Sequence, residues 1–362
     1  LVVQYAEAEQ WDEAEDAYNE FQKDYSGSDY RYEVLAAALP VLAARDRVDD
    51  GIARLREVIW DHRDDPQSVT LAQMFGSFAE YLEEHVEDER FNSEMVSLQS
   101  DRGTTPSLLG WTTIAMADFL EKKEVKREEV DKLFYRFEAG LKPAQHSNFP
   151  LVRLARWISH SRKKPEEAKG IYDFILKERP GTANYEYCLV DVAEIEANSE
   201  EKELRESAMN KFQRVLAEFP NEELQEKAVL GMARIRTAEK SYAEAVTHWE
   251  SYLENRGWNL ARPEANYQLA YCLEQQGDLA SALKIYVSVY ANFAGYLDWS
   301  TRAYLRTAAI LKGQGQDLNA LKVLQDMLKR MGHHKHPGVA KGKELFTKWR
   351  SEYTPPETGG KG

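Results

Sequence analysis

A spacing constrains this chain more than anything else in it. Eight small or short side chains, Ala14, Gly51, Val130, Ala168, Ala208, Ala245, Ala282 and Ala320, follow one another at 37, 79, 38, 40, 37, 37 and 38 residues. The interval of 79 is about two periods, which puts a degenerate unit near Arg90. Four residues after each anchor stands a bulky side chain: Tyr18, Leu55, Phe134, Tyr172, Phe212, Trp249, Tyr286 and Leu324. Twelve residues before three of the later anchors stand Ala233, Ala270 and Ala308. A recurrence at this period marks one supersecondary unit copied in line, each copy burying its apolar face on its neighbours.

The unit is best read at Tyr267 to Tyr290. Leu269, Ala270 and Leu273 sit at helical spacing, and Gly277-Asp278 interrupts them. A second series follows at Leu279, Ala282, Leu283, Tyr286, Val287 and Tyr290, the i, i+3, i+4, i+7 pattern of an amphipathic helix. Gly277 suits the left-handed residue that ends a helix, and Asp278 suits the cap of the next. The unit is therefore an antiparallel helical hairpin. Small residues at 270 and 282 let its helices approach, and Tyr286 fills the space beside them.

Taken in order, residues 1–66 read as the first repeats, with the opening helix starting at or before Leu1, as in a trimmed chain. Residues 67–105 hold a long helical pattern from Val69 to Leu82, then a stretch that keeps the period and loses the small anchor. Asp101 to Pro106 is the expected flexible joint, from its Arg-Gly-Thr-Thr-Pro composition. Regular repeats follow over 106–332. Leu141 to Pro150 reads as a loop, and Arg179-Pro180 and Phe219-Pro220 end second helices. Residues 333–353 read as a loop with a final helix, Val339 to Tyr353, that caps the open end. Residues 354–362 read as a disordered tail.

Ala270, Leu273, Gly277, Ala282 and Tyr286, with the two helix-ending prolines, resemble the tetratricopeptide repeat superfamily, and the resemblance runs over nearly the whole chain. The expected fold is all-α: a right-handed superhelical solenoid of about nine hairpins with a carboxyl-terminal capping helix. The period of 37–40 exceeds the family's usual 34. Longer repeats of this kind resemble tetratricopeptide proteins of bacterial envelopes, which makes the envelope or periplasm the expected compartment.

Chemistry finds little foothold. The eight histidines do not form a metal spacing on any one helix. His333, His334 and His336 share one loop, read as solvated rather than metal-binding. Gly313-Gln314-Gly315 is an interhelical turn. Glu206-Ser207 matches the catalytic dipeptide of lytic transglycosylases, but it opens a repeat helix and the family's later Gly-Leu-Met-Gln segment is missing. Cys188 and Cys272 read as buried free thiols. No cofactor, metal or reaction is expected.

With 61 acidic against 47 basic residues the formal charge is −14, the wrong sign for a phosphate-binding surface, so nucleic acid is not an expected partner. No apolar run reaches the roughly 20 residues of a membrane span. The charge is uneven. Residues 1–35 hold ten carboxylates against Lys23 and Arg31, while residues 321–350 hold eight cations against Asp326 and Glu344. The basic end is a candidate for electrostatic contact with an acidic partner, an anionic membrane surface or another copy.

Stacked hairpins leave their first helices lining a concave groove. With Asn266, Leu269, Ala270 and Leu273 as the core stripe, Tyr267, Tyr271 and Glu274 lie about 120° away at 100° per residue and are expected to face that groove. The same offset offers Lys227 and Arg234 before them and Arg302 and Leu305 after, with Arg153 and Trp157 upstream. Aromatic residues and arginine are the types enriched at binding hot spots. The expected work is that of a protein-interaction scaffold holding a peptide or partner protein. The alternative is the helical part of an envelope hydrolase whose catalytic domain lies outside this chain.

Overall fold

A computed structural model describes residues 1–25, 27–28 and 30–354. Among these, nineteen α-helices and one short 3-10 turn are found and no strand. They pair as the period requires: α1 (Val2–Glu7) with α2 (Trp11–Asp24), α3 (Arg31–Ala44) with α4 (Val48–Asp61), and α5 (Val69–His85) with α6 (Asp88–Ser100). Then come α7 (Pro106–Lys122) with α8 (Arg127–Glu138), α9 (Asn148–His160) with α10 (Pro165–Glu178), and α11 (Tyr185–Ala197) with α12 (Lys202–Glu218). The last three hairpins are α13 (Glu222–Ala238) with α14 (Tyr242–Glu254), α15 (Arg262–Gln275) with α16 (Leu279–Asn292), and α17 (Leu297–Gly313) with α18 (Asp317–Met331). Helix α19 (Pro337–Glu352) packs on α17 and α18. The chain is an all-α helical repeat of nine hairpins and a final helix.

Two compact units divide it, Leu1–Cys188 and Leu189–Gly362, with the boundary inside α11. In the first unit the helices from α1 to α10 pack on their chain neighbours, and the first helices also pack on each other, α1 on α3, α3 on α5, α5 on α7 and α7 on α9. In the second unit α15 packs on α17 in the same way. Elements on the inner side of a curved stack crowd together while those outside splay, so the first helices line the inner side of each unit.

The anchors are where helices nearly touch. Ala14, Ala168, Ala208, Ala245, Ala282 and Ala320 are fully buried, and a Cβ on Gly51 would meet the Tyr81 ring at 2.8 Å. The bulky residues four places later are buried as well. At Tyr286 and Trp249 the polar tip finds an acceptor: Tyr286 Oη donates to Glu274 at 2.9 Å, and Trp249 Nε1 to Thr237 Oγ1 at 3.0 Å, as suits buried amphipathic rings.

The turn inside six of the nine hairpins closes in one way. At Gly277 (φ 88°) the amide bonds Glu274 O, and the Asp278 amide reaches back to Leu273 O. This paired closure satisfies two carbonyls that a helix end leaves without partners. The Asp278 carboxylate then accepts from the Ser281 amide at 3.1 Å and caps α16. The same pair of backbone bonds occurs around Glu9, Asp46, Glu124, Lys240 and Gly315, all at positive φ. Only two of these six residues are glycine, which is why sequence inspection finds the turn at Gly277 and Gly315 and overlooks it elsewhere.

One expectation changes. Residues 148–150 are helix rather than loop: α9 starts at Asn148 and carries Pro150 in its first turn, where an amide donor is not needed. The rest of that loop is pinned by the buried Arg179, whose guanidinium donates to His146 O and Asn148 Oδ1, both at 2.7 Å. Burial beside it pushes the His146 imidazole down to about 4. The turn before α7, expected as a flexible joint, meets the turn after α4: Thr105 Oγ1 donates to Arg63 O at 2.7 Å and Arg63 Nε to Gly103 O at 3.2 Å. The tail, 355–362, lies outside the described residues.

Candidate functional site

In the second unit, α13, α15 and α17 border one concavity of about 410 Å³. Arg234, Tyr267, Tyr271 and Arg302 line it together with Gln268 and Thr237, so four side chains singled out by helical offset meet at one place. Their environments differ. Arg234 is half exposed and clamped by Glu264 through two bonds of 2.7 Å, a bidentate pair that raises the guanidinium's affinity for its proton. Arg302 is exposed, lies over the Trp299 ring at 5.1 Å, and has no carboxylate partner among the described residues. It is the cation this concavity can offer a ligand. Tyr271 is half-buried, between the edge of Tyr242 at 6.1 Å and the guanidinium of Arg306 at 5.5 Å.

Two residues of the same helix sit differently from expectation. Tyr267 was expected to turn from the core, yet it is only 9% exposed. Its ring packs on Tyr286 at 5.5 Å and on Trp299 at 5.4 Å, and only an edge reaches the concavity. The reason is that α15 is flanked by α14, α16 and α17, so its buried arc is wider than one stripe. Burial also pushes the Tyr267 phenol up. Glu274 is likewise not a free groove carboxylate: it receives Arg306 through bonds of 2.9 and 2.6 Å as well as Tyr286 Oη. It clasps α15, α16 and α17 together. Lys227 pairs with Glu223 at 2.7 Å, and Leu305 packs with the core around Tyr304 and Met327.

The upstream pair lies in the first unit. Trp157 is a locked core ring, stacked on Phe134 at 5.2 Å, with Nε1 donating to Asp131 at 2.7 Å. It borders a concavity of about 440 Å³ with Arg153, Arg156 and Asp131. Arg153 is ion-paired with Asp118 and lies 3.5 Å from Glu121. Burial holds the Asp118 carboxyl above the usual range even with this arginine beside it.

A larger concavity of the first unit, about 840 Å³, was not singled out from sequence. One ring from each of three successive first helices forms its floor: Phe75 of α5 stacks on Trp111 of α7 at 5.7 Å, and Trp111 on Phe149 of α9 at 5.5 Å. The signal available was the pair of intervals 36 and 38, one repeat each, between three aromatic residues.

Other sequence candidates have ordinary surroundings. Glu206 is exposed on α12, 3.4 Å from Lys202 one helical turn away. His336 caps α19, accepting from the Gly338 amide at 3.1 Å, and contacts Asp298. Among the described residues no group of three or more His, Cys, Asp or Glu is arranged to hold a metal ion, and no helix is long and apolar enough to cross a membrane. Cys188 and Cys272 are buried and not joined in a disulfide, and burial pushes the Cys272 thiol up.

Comparison with known proteins places a family match on the central hairpin: residues 264–295 match the tetratricopeptide repeat. No curated protein sequence matches the chain. Among solved structures, YrrB, described as a TPR protein with an unusual peptide-binding site, is 20% identical, with a TM-score of 0.39 over 59% of this chain and 98% of its own. A tetratricopeptide repeat protein from Parabacteroides merdae is 13% identical, with a TM-score of 0.35 over 88% of this chain and 98% of its own. A Rap protein solved with Competence and Sporulation Factor is 14% identical, with a TM-score of 0.41 over 90% and 99%. All three TM-scores lie below 0.5, so the fold stands on the helices themselves and on the family match.

Proposed function

We propose that this chain, a tetratricopeptide repeat protein by its repeated hairpins and its match at 264–295, is a protein-interaction scaffold that holds an extended peptide segment against the first helices of its second unit. The observation that supports this most is the meeting of Arg234, Tyr267, Tyr271 and Arg302 from three successive first helices around one concavity. Arg234 is already neutralised by Glu264, whereas Arg302 has no carboxylate partner among the described residues and is held over Trp299. A peptide carboxylate placed at Arg302, with an apolar side chain on Tyr271, uses both features. The scaffold carries no reaction of its own in this reading, and its compartment is the bacterial envelope, which fractionation of the native cells checks.

The test starts from a displayed peptide library selected on the intact chain. Alanine at Tyr271 or at Arg302 is expected to weaken the selected peptide by ~1–3 kcal/mol in calorimetric titration, with circular dichroism unchanged. A selected peptide that binds the double variant as tightly as the parent removes the second-unit concavity from consideration.

A further inference from the structure

The concavity of the first unit has the opposite character from that of the second. Its floor is apolar: Phe75, Trp111 and Phe149 rise as a stack across α5, α7 and α9, with Ala79, Ile114 and Ala115 beside them. Phe75 and Trp111 are held from below, Trp111 by an indole bond of 3.0 Å to Ser147 Oγ. Phe149, the outermost ring, is 38% exposed. The rim carries four carboxylates, Glu80, Glu83, Asp118 and Glu121, against two cations, Lys122 and Arg153. Both cations are already taken, Lys122 by Glu83 and Arg153 by Asp118 with Glu121 nearby. Glu80 is exposed and has no cationic partner among the described residues. The rim is therefore net negative over a face of aromatic rings, and both features attract a cation that carries an apolar stem.

We propose that this concavity is a second docking surface and that its occupant is a basic, apolar segment of a partner protein: an extended peptide that lays an arginine or lysine stem over Phe149 and Trp111 and brings its charged head to Glu80 and Glu121. An acidic segment is disfavoured here by the same carboxylates. The two units then read opposite charges, the first through Glu80 and the second through Arg302. The assignment shares with the second-unit reading only the idea that the chain is a scaffold, and it uses none of the same residues.

The probe is a fluorescein-labelled peptide of alternating leucine and arginine, with an alternating leucine and glutamate peptide of equal length as its counterpart, measured by anisotropy on the intact chain. The basic probe is expected to bind with an affinity that falls as salt rises, while the acidic counterpart binds at least about tenfold more weakly at the first unit. Glu80→Lys and Phe149→Ala are each expected to weaken the basic probe by about tenfold. Both positions are exposed, and an unchanged thermal midpoint shows that the fold is kept. Arg302→Ala and Tyr271→Ala are expected to leave the basic probe unaffected. Equal binding of both probes to the Arg302→Ala variant, which lacks the second unit's cation, or parental binding of the basic probe by Glu80→Lys and Phe149→Ala together, overturns the proposal. Loss of the basic probe in Arg302→Ala alone overturns it too, by moving the site to the second unit.

Discussion

Hairpins α5–α6 and α15–α16 share a period and little else. In α15–α16 the anchor is Ala282, fully buried, and the helices pack closely along their length. In α5–α6 the anchor place, 40 residues after Gly51 and 39 before Val130, is held by Phe91. A phenyl ring cannot sit where two backbones nearly touch, so α6 leans away from α5 and packs more closely on α7. There Phe91 stacks on Phe119 at 4.2 Å with the planes 13° apart. The turns differ in the same sense: Gly277 closes one hairpin in the left-handed conformation, whereas α5 ends at an extended Val86. A repeat stack tolerates the exchange because each hairpin need only match its neighbours, and volume lost inside one interface can be regained at the next.

The largest expected effect breaks the comparison from the degenerate side. Phe91→Ala removes a fully buried ring and should cost ~3–5 kcal/mol. Urea unfolding checks it, and a loss below that of a surface substitution means that α6 has repacked onto α5. The next acts on the regular hairpin. Ala282→Leu should overpack α15 against α16 and cost ~1–3 kcal/mol. Thermal unfolding equal to the parent's would show that the small anchor does not set the spacing.

The smallest effect concerns the turns. A Cβ at Gly277 meets open space, so Gly277→Ala carries only the price of a left-handed backbone, about 1–2 kcal/mol. Glu87→Ala at the corresponding turn of α5–α6, exposed and making no side-chain cap, should change stability by no more than about 0.5 kcal/mol. Equal losses at both turns would mean that the closure at Gly277 is not what distinguishes the hairpins.

The sequence by itself determined the repeat. Its period, the buried anchors, the bulky residues four places on and the final helix are set by each hairpin's own need to bury one face, and a 3.6-residue helix writes that need into the chain at fixed spacing. The degenerate unit near Arg90 was legible for the same reason, since the spacing survives there although the anchor does not. The meeting of Arg234, Tyr271 and Arg302 was legible too, because residues at one helical offset in successive first helices fall on one side. Only the tertiary structure decided how wide the buried arc is. Tyr267 is enclosed because α15 has helices on several sides. Glu274 is consumed by Arg306, 32 residues away, and the rings of Phe75, Trp111 and Phe149 stack only because three hairpins hold them in line. One helix wheel shows the direction in which a side chain leaves its own helix. It carries nothing about the rotation and distance of the next hairpin, and these decide whether that side chain meets a partner, a neighbour's ring or open water.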